Sequence, residues 1–319
     1  MIQVEGLTKR YGERTAIDNL TFHANKGEIV GFLGPNGAGK TTTMRILTGF
    51  MPPSEGTGRV AGFDLLTESL EVRKRVGYLP ESVPLYPEMT VIQYLDFMAE
   101  LRQIPSRTDR VDEVMEAVQI DGRADSFIGN LSKGLRQRVG LAQALLHKPE
   151  VLIMDEPMDG LDPQQQREVK GLLREIGKEQ TVMLSTHILA HAQELANRVI
   201  IIAAGRIVAE DSPERLSTQI AGGGRIHLQV GGDGDGLLES LRNLPGLVDV
   251  RRAGDGLFDI ETAPGTDGRA RIAQTVVNGG WELLELHRDK ASLEEIFLEL
   301  TKNDGATAAA AAGTEADDA

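Results

Sequence analysis

There is no cysteine anywhere in the 319 residues, which excludes a disulfide framework and any zinc site built on thiolates. Long apolar runs are missing as well. The longest, around RVIIIAAG, stops at Arg206, far short of the ~20 residues that a bilayer-crossing helix needs. The first residues, MIQVEGLTKRYG, hold no apolar stretch of the kind a signal peptide carries. Positive charge is also scarce. A formal net charge of −14 weighs against nucleic acid as a partner, because duplex binding needs clustered Lys and Arg to displace counterions. The expectation is a soluble, cytoplasmic chain whose role at a membrane, if it has one, is peripheral.

What is present suits a globular protein. Hydrophobic residues make up 40% and charged residues 26%, enough to build a core in one large domain or two modest ones. Over residues 1–220, short runs rich in Val, Ile and Leu alternate with longer amphipathic stretches. EIVGFLG precedes TTTMRILTGF, EVLIMDEP precedes PQQQREVKGLLREIG, and TVMLST precedes HILAHAQELANR. That rhythm predicts parallel strands joined by crossover helices. Residues 88–148 interrupt it with helical patterns such as VIQYLDFMAELR and RVDEVMEAVQI, read as a helical subdomain. AGGG at 221–224 marks a linker. Residues 225–301 then read strand, helix, two strands meeting at Gly254-Asp255-Gly256, helix, strand. This is the order of a small α+β ferredoxin-like domain. A closing helix, SLEEIFLELT, has Ser292 and Glu295 in capping-box spacing. The acidic, alanine-rich tail 302–319 reads as disordered.

Two segments carry chemistry. In GPNGAGKTTT, Gly34, Gly39, Lys40 and Thr41 match G-x-x-x-x-G-K-[ST] between a strand and a helix. Glycines let backbone amides converge without Cβ clashes, the lysine adds a mobile ammonium, and the threonine hydroxyl can bind magnesium. With Pro35, Asn36, Gly37, Ala38 and Thr42, the loop has the make-up of a phosphate cradle at a helix start. The second segment, VLIMDEP, is an apolar strand ending in Asp155 and Glu156. Neighbours on a strand face opposite ways, so the two carboxylates serve different purposes unless the strand stops there, as Pro157 suggests. In P-loop nucleotide hydrolases a strand-end Asp holds magnesium, which leaves Glu156 to polarise a water. Taken alone, the pair is also an ordinary solvated strand end.

With these segments and LSKGLRQRVGLAQALLHKP in view, residues 2–217 resemble the ATP-binding subunits of ABC transporters, most of all the exporter branch whose membrane partners are separate polypeptides. The resemblance implies an α/β P-loop NTPase domain of the ABC type with its helical subdomain, binding ATP and Mg2+. It places Tyr11 of KRYG where the family stacks an aromatic on adenine. It places Glu81 of VGYLPES where the family has a magnesium-reaching glutamine, so Glu81 is a departure that still offers a metal-binding oxygen. Ser132 and Gly134 match the family signature LSGGQ, whereas Lys133 and Leu135 depart from it. Asp162 of GLD matches a loop that organises the contact between two ATPase subunits. His187 of LSTH matches the switch histidine beside the γ-phosphate. His187 and His191 also stand at i, i+4, but no HExxH motif or third ligand accompanies them.

By the same resemblance, the signature of one subunit closes over ATP held by another. Glu156 and His187 are both present, so no site is degenerate and a homodimer is expected, working with a transmembrane permease. Cargo and direction have no residue of their own in this reading. The alternative is a soluble ABC-type ATPase acting on ribosomes or DNA. Such proteins carry paired cassettes or a long coiled coil, and neither feature is in the sequence.

Overall fold

The computed structural model describes residues 1–219, 225–263 and 266–289. The AGGG stretch, the closing helix with Ser292 and Glu295, and the tail lie outside the described residues. Two compact units divide at Ser212/Pro213.

The first unit runs β1 (Ile2–Tyr11), β2 (Arg14–Ala24), β3 (Ile29–Leu33), α1 (Lys40–Leu47), β4 (Glu55–Val60), β5 (Phe63–Asp64), α2 (Ser69–Arg75) and β6 (Val76–Leu79). It continues through α3 (Val91–Leu101), α4 (Arg107–Ala117), α5 (Lys133–Leu145), β7 (Val151–Asp155), α6 (Pro163–Ile176), β8 (Thr181–Thr186), α7 (Leu189–Leu195), β9 (Arg198–Ala203) and β10 (Arg206–Asp211). Six strands form one sheet in the order β10-β9-β3-β8-β7-β6, parallel except where β10 turns back on β9.

Burial on both faces explains why the central strands β3 and β7 are apolar nearly to their ends. Along β7, Val151 and Ile153 enter one core while Leu152 and Met154 enter another. The alternation follows from the two-residue period of a strand. One core is shared with β1, β2 and α1, and the other with the helices of 88–148. Several helices of this unit start on local signals. Thr90 and Gln93 form a reciprocal capping box at α3, Ser132 caps α5, and Asp162 with Pro163 opens α6.

One feature departs from the expected α/β rhythm. β1, β2, β4 and β5 make a separate antiparallel sheet in the order β2-β1-β4-β5. β1 and β2 meet across Gly12-Glu13, with Tyr11 opposite Arg14. Register shifts along β1 break the strict polar/apolar alternation that would have revealed it.

The second unit holds α8 (Pro213–Gln219), β11 (Arg225–Val230), α9 (Leu237–Arg242), β12 (Leu247–Gly254), β13 (Leu257–Thr262), α10 (Arg269–Asn278) and β14 (Leu283–Asp289). From β11 onward the strands form an antiparallel sheet in the order β12-β13-β11-β14, the ferredoxin-like arrangement. Ile226, Leu228 and Val230 of β11 join Phe258, Ile260, Leu241 and Ile272 in its own core. Among the described residues, no helix is long and apolar enough to cross a membrane.

Candidate nucleotide site

β3 ends at Leu33 and the chain loops through 34–39 into α1. Gly39 adopts φ +109, and a Cβ there would come within 2.5 Å of Ile17 Cγ2 and 2.8 Å of Ala16 O. Only glycine fits this turn. As the N-cap of α1 it offers no side chain to its first amides, which leaves them for an anion. The Lys40 side chain folds back into the loop. Its Nζ donates to Gly34 O at 2.8 Å and Pro35 O at 3.2 Å.

Asp155 is the last residue of β7 and Ser185 stands opposite it in β8. The Ser185 hydroxyl donates to Asp155 Oδ1 at 2.5 Å and accepts the Glu156 backbone N–H at 3.1 Å. Asp155 is buried, and its Oδ2 has no hydrogen-bond partner. Glu156 leaves the strand with φ +48, a left-handed conformation that costs a non-glycine residue about 1 kcal/mol or more. The reversal turns its carboxylate toward the glycine loop. Oε1 lies 3.3 Å from Lys40 Nζ, an ionic contact without the alignment of a hydrogen bond. Oε2 accepts the His187 backbone N–H at 3.3 Å and lies 3.0 Å from His187 Nδ1. An ionised carboxylate only accepts, so the ring hydrogen is assigned to Nδ1.

These groups border a cleft of about 670 Å³. Of the residues expected from the sequence, Tyr11, Asn36, Gly37, Gly39, Lys40, Thr41, Thr42, Glu81, Glu156 and His187 line it. Tyr11 is half exposed, its hydroxyl donates to Met51 Sδ at 3.1 Å, and the Lys9 ammonium sits 5.5 Å from its ring centroid. Gly34 and Pro35 contribute through the carbonyls that seat Lys40, while Ala38 is buried in the core beneath the loop. Asp155 lies below the cleft, against Ser185.

Ser132, Gly134 and Asp162 do not line this cleft. Ser132 accepts from Leu135 N at the start of α5, and Asp162 accepts from Gln164 N and Gln165 N at the start of α6. A Cβ on Gly134 would meet Gln165 Oε1 at 2.4 Å. His191 does not join His187 as a ligand pair. It is buried, with Nε2 3.3 Å from Gln166 Oε1. Among the described residues, no cluster of three or more His, Asp or Glu side chains converges to hold a metal alone.

Three cleft residues were not anticipated from the sequence: Arg14, Ala16 and Asp159. Nor was Ser185, which ties the acidic pair together. The Tyr11–Arg14 hairpin could have pointed to Arg14. Asp159 and Ser185 had no motif of their own.

Comparison with known proteins agrees with the fold. A family described as ABC transporter matches residues 17–159. The Nod factor export ATP-binding protein I of Ralstonia nicotianae is 36% identical over 306 residues, 94% of each chain. The daunorubicin resistance ATP-binding protein of Streptomyces coeruleorubidus is 34% identical, over 95% of this chain and 96% of its own. Among solved structures, an ATP-binding subunit of an ABC transporter is 30% identical with a TM-score of 0.63, covering 69% of this chain and 93% of that one. A dimeric bacterial ABC transporter cassette is 25% identical with a TM-score of 0.62, over 66% and 98% of the two chains.

Proposed function

The chain belongs to the ABC transporter family as an ATP-binding, ATP-hydrolysing subunit, and from that premise we propose that two copies sandwich ATP and drive export through a separate transmembrane permease. The observation that carries this reading is the convergence of Lys40, Glu156 and His187 over one glycine loop. The exporter assignment draws on relatives named for Nod factor export and daunorubicin resistance.

In this reading, Tyr11 stacks on the adenine and the loop amides with Lys40 hold the phosphates. Glu156 accepts a hydrogen bond from the attacking water and orients it toward the γ-phosphate. His187 fixes Glu156 through Nδ1–H, so its Nε2 reaches phosphate as a donor only when the ring is doubly protonated. Ser132 and Gly134 at the start of α5 cover the nucleotide held by the sister subunit, and Asp162 organises that contact. The separation of these residues from their own chain's cleft supports a role across the dimer.

The residues present fit magnesium. The orphaned, buried Asp155 Oδ2 and the Thr41 hydroxyl at the cleft are oxygen donors of the kind that ion takes, and Glu81 adds another at the cleft wall. Bound there, magnesium would supply neutralisation of phosphate charge. The chain then sits at the cytoplasmic face of a membrane without entering it. Residues 1–220 form the ATP-binding domain, with the helical subdomain 88–148 facing the permease, and 225–301 form an accessory domain.

Two measurements test this reading. Glu156→Gln with ATP should sediment as a dimer, and the chain should co-purify with a membrane protein from a neighbouring reading frame that raises its ATPase rate. A Glu156→Gln chain that stays monomeric with ATP, or a permease without effect on turnover, would overturn it.

A further inference from the structure

Lys133 departs from the family signature, which has glycine at that position, and the structure gives its ammonium a specific seat. Nζ lies 3.2 Å from Asp159 Oδ2. The side chain crosses Gly160, which has φ +64, and a Cβ on that residue would come within 2.2 Å of Nζ. The end of the lysine side chain thus lies directly over the Cβ-free face of Gly160. Asp159 borders the nucleotide cleft with Glu81 and Glu156. Asp159 and Glu81 also border a second pocket, of about 300 Å³, that contains Lys133. One carboxylate thus belongs to the nucleotide cleft, while its cation comes from the signature helix of the same chain.

We propose that Lys133 is a positioning residue for nucleotide binding, which neutralises Asp159 and holds its carboxylate away from the incoming triphosphate. This rests on reading the cleft as the ATP site. Three carboxylates border that cleft. Glu156 faces Lys40 and Asp159 faces Lys133, so two of the three meet the polyanion already compensated. As an exposed ion pair, Lys133–Asp159 adds little to stability. Its effect falls instead on a neighbouring ligand of high charge, where Coulomb energy scales with the product of charges. A glycine at 133, as in the usual signature, would leave Asp159 uncompensated.

The test is binding of trinitrophenyl-ATP and trinitrophenyl-AMP to the full chain and to Lys133→Ala, Asp159→Asn and the double variant. Lys133→Ala should weaken the triphosphate by about fivefold at low salt and the monophosphate much less. Adding Asp159→Asn should return the triphosphate to within about twofold of the parent. The loss should shrink at ~1 M salt, where the screening length falls to about 3 Å. A merely structural role for Lys133 would not sort ligands by charge or respond to Asp159→Asn. Unchanged binding in Lys133→Ala, or a double variant as weak as the single one, overturns the proposal. The second result would point to direct contact between Lys133 and phosphate. Lys40→Ala serves as the control. If it binds as the parent does, the cleft reading falls and this proposal with it, whereas failure at Lys133 alone leaves that reading standing.

Discussion

The Lys40 ammonium and the Glu156 carboxylate lie 3.3 Å apart, both side chains about nine-tenths buried. In the proposed reading, the cation that holds phosphate and the anion that orients water are thus each other's counterion. Removing one leaves the other buried without its counter-charge, held by His187 in the case of Glu156 and by the Gly34 and Pro35 carbonyls in the case of Lys40, which costs about 3 kcal/mol. Lys40→Met should therefore lose both trinitrophenyl-ATP binding and thermal stability. Adding Glu156→Gln should restore much of the stability and none of the binding. Calorimetry alongside fluorescence titration checks this, and equal melting temperatures for the parent and Lys40→Met would contradict it.

Glu156→Gln alone keeps the shape of the side chain and removes its basicity. Turnover should fall by ~10²–10⁴-fold, the range expected for a general base, while trinitrophenyl-ATP still binds. Single-turnover hydrolysis measured beside a binding isotherm separates the two effects.

Ser185 serves Asp155 and Glu156 together, donating to one and accepting from the other. Ser185→Ala leaves a buried carboxylate oxygen and a buried amide without that partner, which costs about 1–3 kcal/mol. Melting should drop by that equivalent, and kcat should fall more than ATP affinity because the carboxylates lose alignment. Ser185→Thr, which keeps the hydroxyl, should recover part of both.

Tyr11 presents a half-exposed ring, with Lys9 beside it and its hydroxyl on Met51. Base stacking is worth roughly 1–3 kcal/mol. Tyr11→Ala should weaken ATP accordingly and leave inorganic triphosphate binding unchanged. Competition titrations with both ligands distinguish loss of stacking from collapse of the loop.

His147 gives the fold its own response to acid. Nε2 donates to Val76 O at 3.0 Å and Nδ1 has no partner. Burial first, and then the positive charge of Arg102, lower its pKa to about 4 from 6.5. The folded ring stays neutral where the unfolded one is already protonated. Stability is thus full above pH ~6.5, declines as pH falls toward ~4, and is down by about 3 kcal/mol below that. His147→Gln should flatten this stretch of the stability curve in urea titrations at stepped pH.

The elements legible in the sequence were those whose signal is local. The glycine loop between β3 and α1, the acidic end of β7 and the capped start of α5 each occupy a short window. The βαββαβ order from β11 to β14 was readable because turn residues separate its strands. The antiparallel β2-β1-β4-β5 sheet was not, since β1 pairs with the distant β4 and changes register along its length. Ser185 and Asp159 escaped for a related reason. Ser185 matters only because β8 lies next to β7, and Asp159 only because its turn borders the cleft. Neither adjacency is written in consecutive residues.

The pairing of Asp155 with Ser185 also sets where this chain can change in length. Deleting one residue within β8 ahead of Ser185 would bring Thr186 opposite the carboxylate and turn the side chains beyond the deletion to the other face. A residue added between α6 and β8, outside the ladder, leaves that match untouched. Families of such chains should thus accumulate insertions in their connections while keeping the spacing from the start of each strand to its polar end invariant.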